Sequence, residues 1–369
     1  MKIRPWLRNT VVAAAVAATV LGTRAAWRAA VAPGGGASQP AAAEQGPTGS
    51  GWRLEVPGWV GALGGDDSLA VAVSANSVVT ALDPATGSPV WAHEIRRLGP
   101  DAPAVSSTHV VVRADDRVVV LDRSDGARVW DTPVDGPGPV ATVGHSVVLI
   151  GSDDGTLAAH SATDGELLWE VVQAGAVKAT PVDAGPRSVV AVWHADDRAV
   201  IAALDVDDGH VLWTRDVGPA ASGTATDGRS AYVGDGAGNV VALDLSDGAQ
   251  RWSTGVDAGF GAHVAPAVDG GSVVIADRLG VVHALAATDG SPQWGVDLGV
   301  PVLRGAPTVA ADSVTVTTVE GRAVVLTGTG EVLEISDDSA FVSGTVAGGG
   351  HLLLGLRLTE PGRVEGLAL

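Results

Sequence analysis

Seven tryptophans fall at nearly equal intervals along this chain: Trp52, Trp91, Trp130, Trp169, Trp213, Trp252 and Trp294, separated by 39, 39, 39, 44, 39 and 42 residues. So regular a recurrence leaves few folds open, because each repeat must be one small unit that buries its apolar face only against its neighbours. The residues around each Trp recur in phase. A strand-like Ala-Leu-Asp end comes first, a Gly follows five residues after the Leu, and the Trp comes four residues after that Gly. The copies read TALDPATGSPVW (80–91), VVLDRSDGARVW (119–130), AAHSATDGELLW (158–169), AALDVDDGHVLW (202–213), VALDLSDGAQRW (241–252) and HALAATDGSPQW (283–294). A worn copy, VVLTGTGEVLE, ends at Glu334 and has Thr327 where most copies have Asp.

A period near 40 residues with several short β-rich runs per unit predicts propeller blades. The Asp of the motif can accept backbone N–H bonds at a turn, and the Gly supplies the positive φ that a tight hairpin needs. One large flat side chain per unit fits a wedge between neighbouring sheets, burying roughly 150–250 Å² with its indole N–H seeking one acceptor. Counting motifs closes the ring. The Leu position occurs at Leu82, Leu121, His160, Leu204, Leu243, Leu285 and Leu326, and an eighth instance, Gly362-Arg-Val-Glu-Gly-Leu367, has no Trp strand after it. Trp52-Arg-Leu-Glu-Val56 is a Trp strand with no blade before it. The fold expected is therefore all-β: a single eight-bladed β-propeller of four-stranded blades over residues 51–369, closed by pairing the N-terminal strand with the C-terminal blade.

The first fifty residues read differently. Lys2, Arg4 and Arg8 precede Val11 to Gly22, a short run of mostly Ala and Val. That pattern predicts a signal peptide or an N-terminal membrane anchor over residues 1–32; Arg24 and Arg28 interrupt the small residues that a cleavage site needs, so both readings stay open. Residues 33–50, rich in Gly, Ala, Pro and Ser, read as a flexible linker. Either form places the remainder outside the cytoplasm: secreted, periplasmic, or held on the outer side of the cytoplasmic membrane. The chain carries a net charge of −19, and the residues after 49 hold 18 basic against 41 acidic side chains. Such a surface repels nucleic acid and anionic lipid, so neither is expected as a partner and membrane contact is expected only through the N-terminal segment. The chain has no cysteine, which excludes a disulfide framework, thiolate metal sites, cysteine catalysis and a lipidated N-terminal Cys.

These motifs resemble the quinoprotein-like (PQQ-like) propeller repeat, whose blades carry an Ala-x-Asp-x-x-Thr-Gly-x-x-x-Trp docking signature. The resemblance covers about residues 52–369 and includes BamB-like proteins, quinoprotein alcohol dehydrogenases and other extracytoplasmic propellers. It implies that Trp52, Trp91, Trp130, Trp169, Trp213, Trp252 and Trp294 dock blades. For the dehydrogenase branch it implies pyrroloquinoline quinone packed between a Trp and a vicinal disulfide, beside a Ca²⁺ held by acidic and Asn side chains. Here the disulfide is impossible. Of the three Asn, Asn9 lies in the targeting segment and Asn76 and Asn239 sit in hairpin turns. No cofactor, metal ligand set or catalytic residue is therefore expected.

Other tempting motifs fall within the repeat. Gly234-Asp-Gly-Ala-Gly238 looks like part of a phosphate loop, yet it occupies the turn that other units fill with Ser152-Asp-Asp-Gly or Ala195-Asp-Asp-Arg. Asp205-Val-Asp-Asp-Gly209 begins like a Ca²⁺ loop but lacks the acidic residue such a loop needs at its twelfth position. One pattern stands apart. Pro181, Pro266 and Pro307 each open an innermost strand, and three residues earlier come Lys178, His263 and Arg304. These three predict cationic groups around one mouth of the central channel. The expected function is a non-enzymatic protein-interaction scaffold with protein partners, monomeric in itself. The alternatives are an ectodomain that senses a small anion at the channel mouth and, behind it, a quinone-dependent dehydrogenase.

Overall fold

Val, Ala and Leu fill the two middle strands of every repeat, and this dictates how the sheets pack. In the first repeat Leu69–Ser74 and Val78–Leu82 are buried along their whole length. A strand apolar on both faces must be covered on both faces, and in this chain the available covers are the neighbouring sheets. The computed structural model describes residues 44–45 and 51–368, except 100, 137, 186, 197, 219–220, 257–264, 278, 303–305, 311–312, 336–340, 349 and 358–361. The segment expected to direct export, residues 1–32, lies outside the described residues.

The chain forms an eight-bladed all-β propeller, with no α-helix among the described residues. Blades 1 to 7 span residues 60–94, 104–133, 140–172, 176–216, 224–255, 267–297 and 308–335, each an antiparallel sheet laid out in chain order. The first strands of successive blades touch one another in a closed circuit, which places them around the central axis. Blade 8 takes Phe341–Gly348, His351–Arg357 and Gly362–Ala368 from the C-terminal end and Trp52–Val56 as its outer strand, in the register Trp52↔Gly366 to Val56↔Gly362. Glu44–Gln45, inside the segment expected to be a free linker, pairs with Arg53 and Trp52 and extends that sheet outward.

The core is divided among the seams. Eight buried apolar clusters are seen among the described residues, and each joins two adjacent blades. Six of them include a buried Trp from the outer strand of the earlier blade, and the partly buried Trp294 packs against a seventh. Each indole N–H donates to a backbone carbonyl in the third-to-fourth-strand turn of the next blade: Trp52 to Pro84, Trp91 to Arg123, Trp130 to Ala162, Trp169 to Val206, Trp213 to Leu245, Trp252 to Ala287 and Trp294 to Gly328, at 2.7–3.0 Å. The indole ring lies on the Gly of the same turn. A Cβ on Gly87, Gly126, Gly165, Gly209, Gly248, Gly290 or Gly330 would sit 2.2–2.9 Å from ring atoms, and all seven have φ between +68° and +85°. Glycine is thus required twice over, by the backbone conformation and by the ring above it. The motif Asp shapes the turn: Asp122 Oδ1 accepts from Ser124 N at 2.7 Å and Asp205 Oδ1 from Asp207 N at 2.9 Å. The seam between blades 7 and 8 has Glu334 at the Trp position and is packed by Ala323, Val325, Val342, Leu352 and Leu354.

Replacing Trp169 by Ala should lower unfolding stability by about 3–5 kcal/mol through loss of a large buried side chain and the cavity it leaves. Gly209→Ala, which drives a methyl into the same indole, should also destabilise, although it adds only one carbon. Urea denaturation of the two variants beside the wild type measures both effects.

Candidate functional site

Two regions of the propeller bear on ligand contact: the innermost strands, where the three cations were expected, and the outer rim. At the channel, the innermost strand of blade 4 is broken. Ala176–Val177 pairs with His194 and Trp193, Val182–Asp183 pairs with Val190 and Val189, and residues 178–181 bridge the pieces. Lys178 stands exposed at the start of this break. Pro181 directly precedes the second piece, as Pro266 precedes Ala267–Asp269 and Pro307 precedes Thr308–Ala310. Proline suits the first step of an edge strand, where no ladder N–H is needed. His263 and Arg304 lie outside the described residues, so only Lys178 of the three belongs to the described structure. The inner strands approach closely: a Cβ on Gly64 would lie 2.3 Å from the Pro103 carbonyl oxygen, and one on Gly223 would lie 2.8 Å from Ala265 Cβ.

The residues needed for a quinone and its Ca²⁺ do not match those present. There is no cysteine to form the vicinal disulfide. Asn239 Nδ2 donates to Asp235 Oδ2 at 2.7 Å within its own hairpin turn, and Asn76 packs against Gly58. Trp193, a Trp outside the docking series, is fully buried between blades 3 and 4 and donates to the Gly155 carbonyl at 2.8 Å. Among the described residues no three His, Cys, Asp or Glu side chains converge as a metal-ligand group. Asp205 and Asp207, in the turn that resembles a Ca²⁺ loop, face Arg187 at 3.6 and 3.3 Å.

Charged groups instead tie blades and turns together. Arg123 lies in the turn whose carbonyl receives the Trp91 indole, and its guanidinium reaches back to blade 1. It donates to both carboxylate oxygens of Asp66 at 2.7 Å, to Ser68 Oγ at 2.7 Å and to the Ser106 carbonyl at 2.6 Å. Burial works to raise the Asp66 carboxyl, but Arg123 and the N–H groups of Ser68 and Leu69 outweigh it and hold the pKa at about 2. In blade 6 the buried Asp277 caps Leu279, Gly280 and Val281 with Oδ1 and meets His283 Nε2 through Oδ2 at 3.0 Å. In blade 5 burial, reinforced by the 2.8 Å hydrogen bond from its hydroxyl to Asp227, pushes Tyr232 up to about 12.

The outer rim holds the feature that inspection of the sequence missed. In blades 1 to 7 the pairing of the third and fourth strands slips by one residue just before the docking position, so that Trp169 faces Ala159 while Leu167 faces His160. The extra residue of such a bulge has no partner opposite it and its side chain is re-aimed. Here the bulged residue turns outward. It is Val90, Val129, Leu168, Leu212 and Leu333 in blades 1, 2, 3, 4 and 7, all exposed, and Arg251 and Gln293 in blades 5 and 6. The signal was present as the adjacent apolar pair Leu167-Leu168, which one alternating strand cannot bury together.

A closed ring of eight antiparallel sheets, seven of whose eight seams are latched by an indole onto the glycine turn of the next blade, defines a PQQ-like repeat propeller. The chain belongs to the family described as outer membrane protein assembly factor BamB, whose model matches residues 10–143, 115–263 and 237–342. No curated protein matches the chain. Among solved structures it is similar to BamB from Moraxella catarrhalis, with 16% identity, a TM-score of 0.69 and coverage of 89% of this chain and 98% of that one. It is similar to the computationally designed Ika8 protein, at 17% identity and a TM-score of 0.69, over 85% of this chain and 98% of that one. It is also similar to the quinohemoprotein alcohol dehydrogenase of Comamonas testosteroni, at 16% identity and a TM-score of 0.65, over 85% of this chain and 74% of that one. At these identities the likeness is one of fold.

The Asp66–Arg123 clamp has a definite pH signature. The folded pKa lies below the ordinary 3.8, so the clamp stabilises the fold above about pH 4 and that contribution is lost as pH falls through about 2. Asp66→Asn should therefore melt below the wild type at pH 7, and the gap should close as both are titrated toward pH 2 in a series of thermal unfolding scans.

Proposed function

We propose that this protein is a non-enzymatic interaction scaffold that works outside the cytoplasm and presents its surface to protein partners. The observation that carries the reading is where its apolar surface lies. Ten large aliphatic side chains are exposed among the described residues, and eight of them (Val90, Val129, Leu167, Leu168, Val172, Leu212, Val332 and Leu333) stand on outer strands. Scattered surface apolar residues need no explanation, but the outer strands hold most of those exposed here, three of them on the single strand Leu167–Val172, and such a local grouping is what a binding surface requires. The BamB family model and the fold of the Moraxella protein support the same reading, as does the export-like segment at residues 1–32. Of the two functions represented among similar folds, the dehydrogenase is disfavoured by the residues themselves, because the donors that hold quinone and Ca²⁺ have other partners here or are missing. The N-terminal segment, cleaved or retained, then sets whether the ring is released or held at a membrane.

The test is thermal unfolding of the purified protein with and without excess pyrroloquinoline quinone and Ca²⁺. The expected result is an unchanged melting temperature. A ligand at 100 times its dissociation constant adds about 2.7 kcal/mol to the folded state, so a clear upward shift in their presence would refute the non-enzymatic reading.

A further inference from the structure

We propose that the outer strand of blade 3, Leu167–Val172, together with the bulged Leu212 of blade 4, docks a cationic amphipathic segment of a protein partner. This assignment rests on the scaffold reading and gives it a place and a chemistry. Leu167, Leu168 and Val172 are 52%, 44% and 62% exposed on a single six-residue strand, and Leu212 is 47% exposed. Trp169, on the same strand, is buried in the seam to blade 4. The bulge thus separates two tasks: the Trp holds the blade and the aliphatic side chains beside it face solvent.

Charge sets this strand apart from every other outer strand except that of blade 7, Val332–Ile335, which is two residues shorter and has two exposed aliphatic side chains where this one has three. Between Val140 and Val172 the chain has no Lys or Arg and five acidic residues, Asp153, Asp154, Asp164, Glu166 and Glu170. Asp164, Glu166 and Glu170 border the exposed leucines, and among the described residues none of the three is in an ion pair. Elsewhere the rim neutralises itself, through Arg128 with Asp131 at 3.2 Å, Arg251 with Asp244 at 3.0 Å and Arg53 with Glu365 at 2.8 Å. Exposed strand edges are ordinarily blunted by charged side chains, Lys above all, or by proline. Six of the other seven outer strands carry Arg or Pro: Pro89, Arg128, Arg215, Arg251, Pro292 and Arg53. The outer edge of blade 8 is taken by Glu44–Gln45 of the same chain. A partner fits blade 3 best when it sets apolar side chains on the leucines and Lys or Arg on the flanking carboxylates. The same carboxylates disfavour an anionic bilayer.

The experiment uses the full-length protein and a labelled synthetic peptide of alternating lysine and valine, with a glutamate-for-lysine peptide as control. Fluorescence anisotropy should detect binding of the lysine peptide alone. Affinity should fall roughly tenfold or more in the Leu167→Ser, Leu168→Ser, Leu212→Ser variant, and again in Glu166→Gln, Glu170→Gln. All five side chains are solvent-facing, so both variants should melt with the wild type. A photo-crosslinking residue at position 168 should capture the peptide, whereas one at Gln293, the equivalent bulge of blade 6, should not. Equal capture at both positions, or affinity unchanged in both variants, would mean general attraction to an acidic surface and would overturn the assignment. So would binding of neutral phosphatidylcholine vesicles that the leucine variant abolishes, since the face would then belong to lipid. Those outcomes remove this site and leave the scaffold reading standing; the quinone and Ca²⁺ melt decides that reading separately.

Discussion

An indole resting on a glycine is the contact from which the architecture of this protein follows. A blade whose middle strands are apolar on both faces cannot bury them by itself, so each blade depends on its neighbours. The docking pair converts that dependence into a fixed geometry. The ring fills the seam, the N–H finds a carbonyl in the adjoining turn, and the positive φ of the glycine makes that turn tight enough to bring the carbonyl within reach. Each pair sets the position of one blade relative to the next, and seven of the eight seams have it. The core is accordingly a circle of seams with no single centre, which explains how a chain with two Phe and one Tyr builds a large buried interior.

This also explains what inspection of the sequence could and could not read. The docking tryptophans and their glycines are legible because one physical role is repeated seven times in phase, and repetition cancels local noise. The blade count is legible from the same repetition, through the orphaned strand at Trp52 and the orphaned motif at Leu367. Features that occur once were not legible. The reach of Arg123 to Asp66 crosses 57 residues and joins two blades through a turn, and no spacing rule predicts it. The outward aim of Leu168 was obscured for a different reason: a strand is read as alternating, and a one-residue bulge breaks that alternation at the position of interest. The pairing of Glu44–Gln45 with blade 8 was hidden because two residues among Ala, Pro and Gly carry no strand pattern. Of the cationic triad that the sequence pattern led us to expect at a channel mouth, only Lys178 lies among the described residues, exposed where the innermost strand of blade 4 breaks.

The same logic separates structural from adaptable positions. The Trp, the turn Gly and the apolar middle strands are constrained from both sides of a seam. The bulged residue next to the Trp touches neither neighbour's core, so it can be Val, Leu, Arg or Gln from one blade to the next without disturbing the ring. A repeat scaffold of this kind can acquire a binding face by changing the residues at one register of one or two blades, while the geometry that presents them stays fixed.

Joining residues 52–56 to residues 362–366 also has a temporal meaning. The two parts of blade 8 leave the ribosome before and after blades 1 to 7. Blades formed early can latch to one another, but the first of them waits with its outermost seam open until the last strand arrives. The circle shuts only after blades 1 to 7 and the strands of residues 341–368 have been made, so the step that removes both open ends of the array comes after every other blade is complete. Throughout that interval the strand around Trp52 lacks its blade 8 partner, which accords with its pattern of only alternate apolar residues and with the Arg and Glu between them.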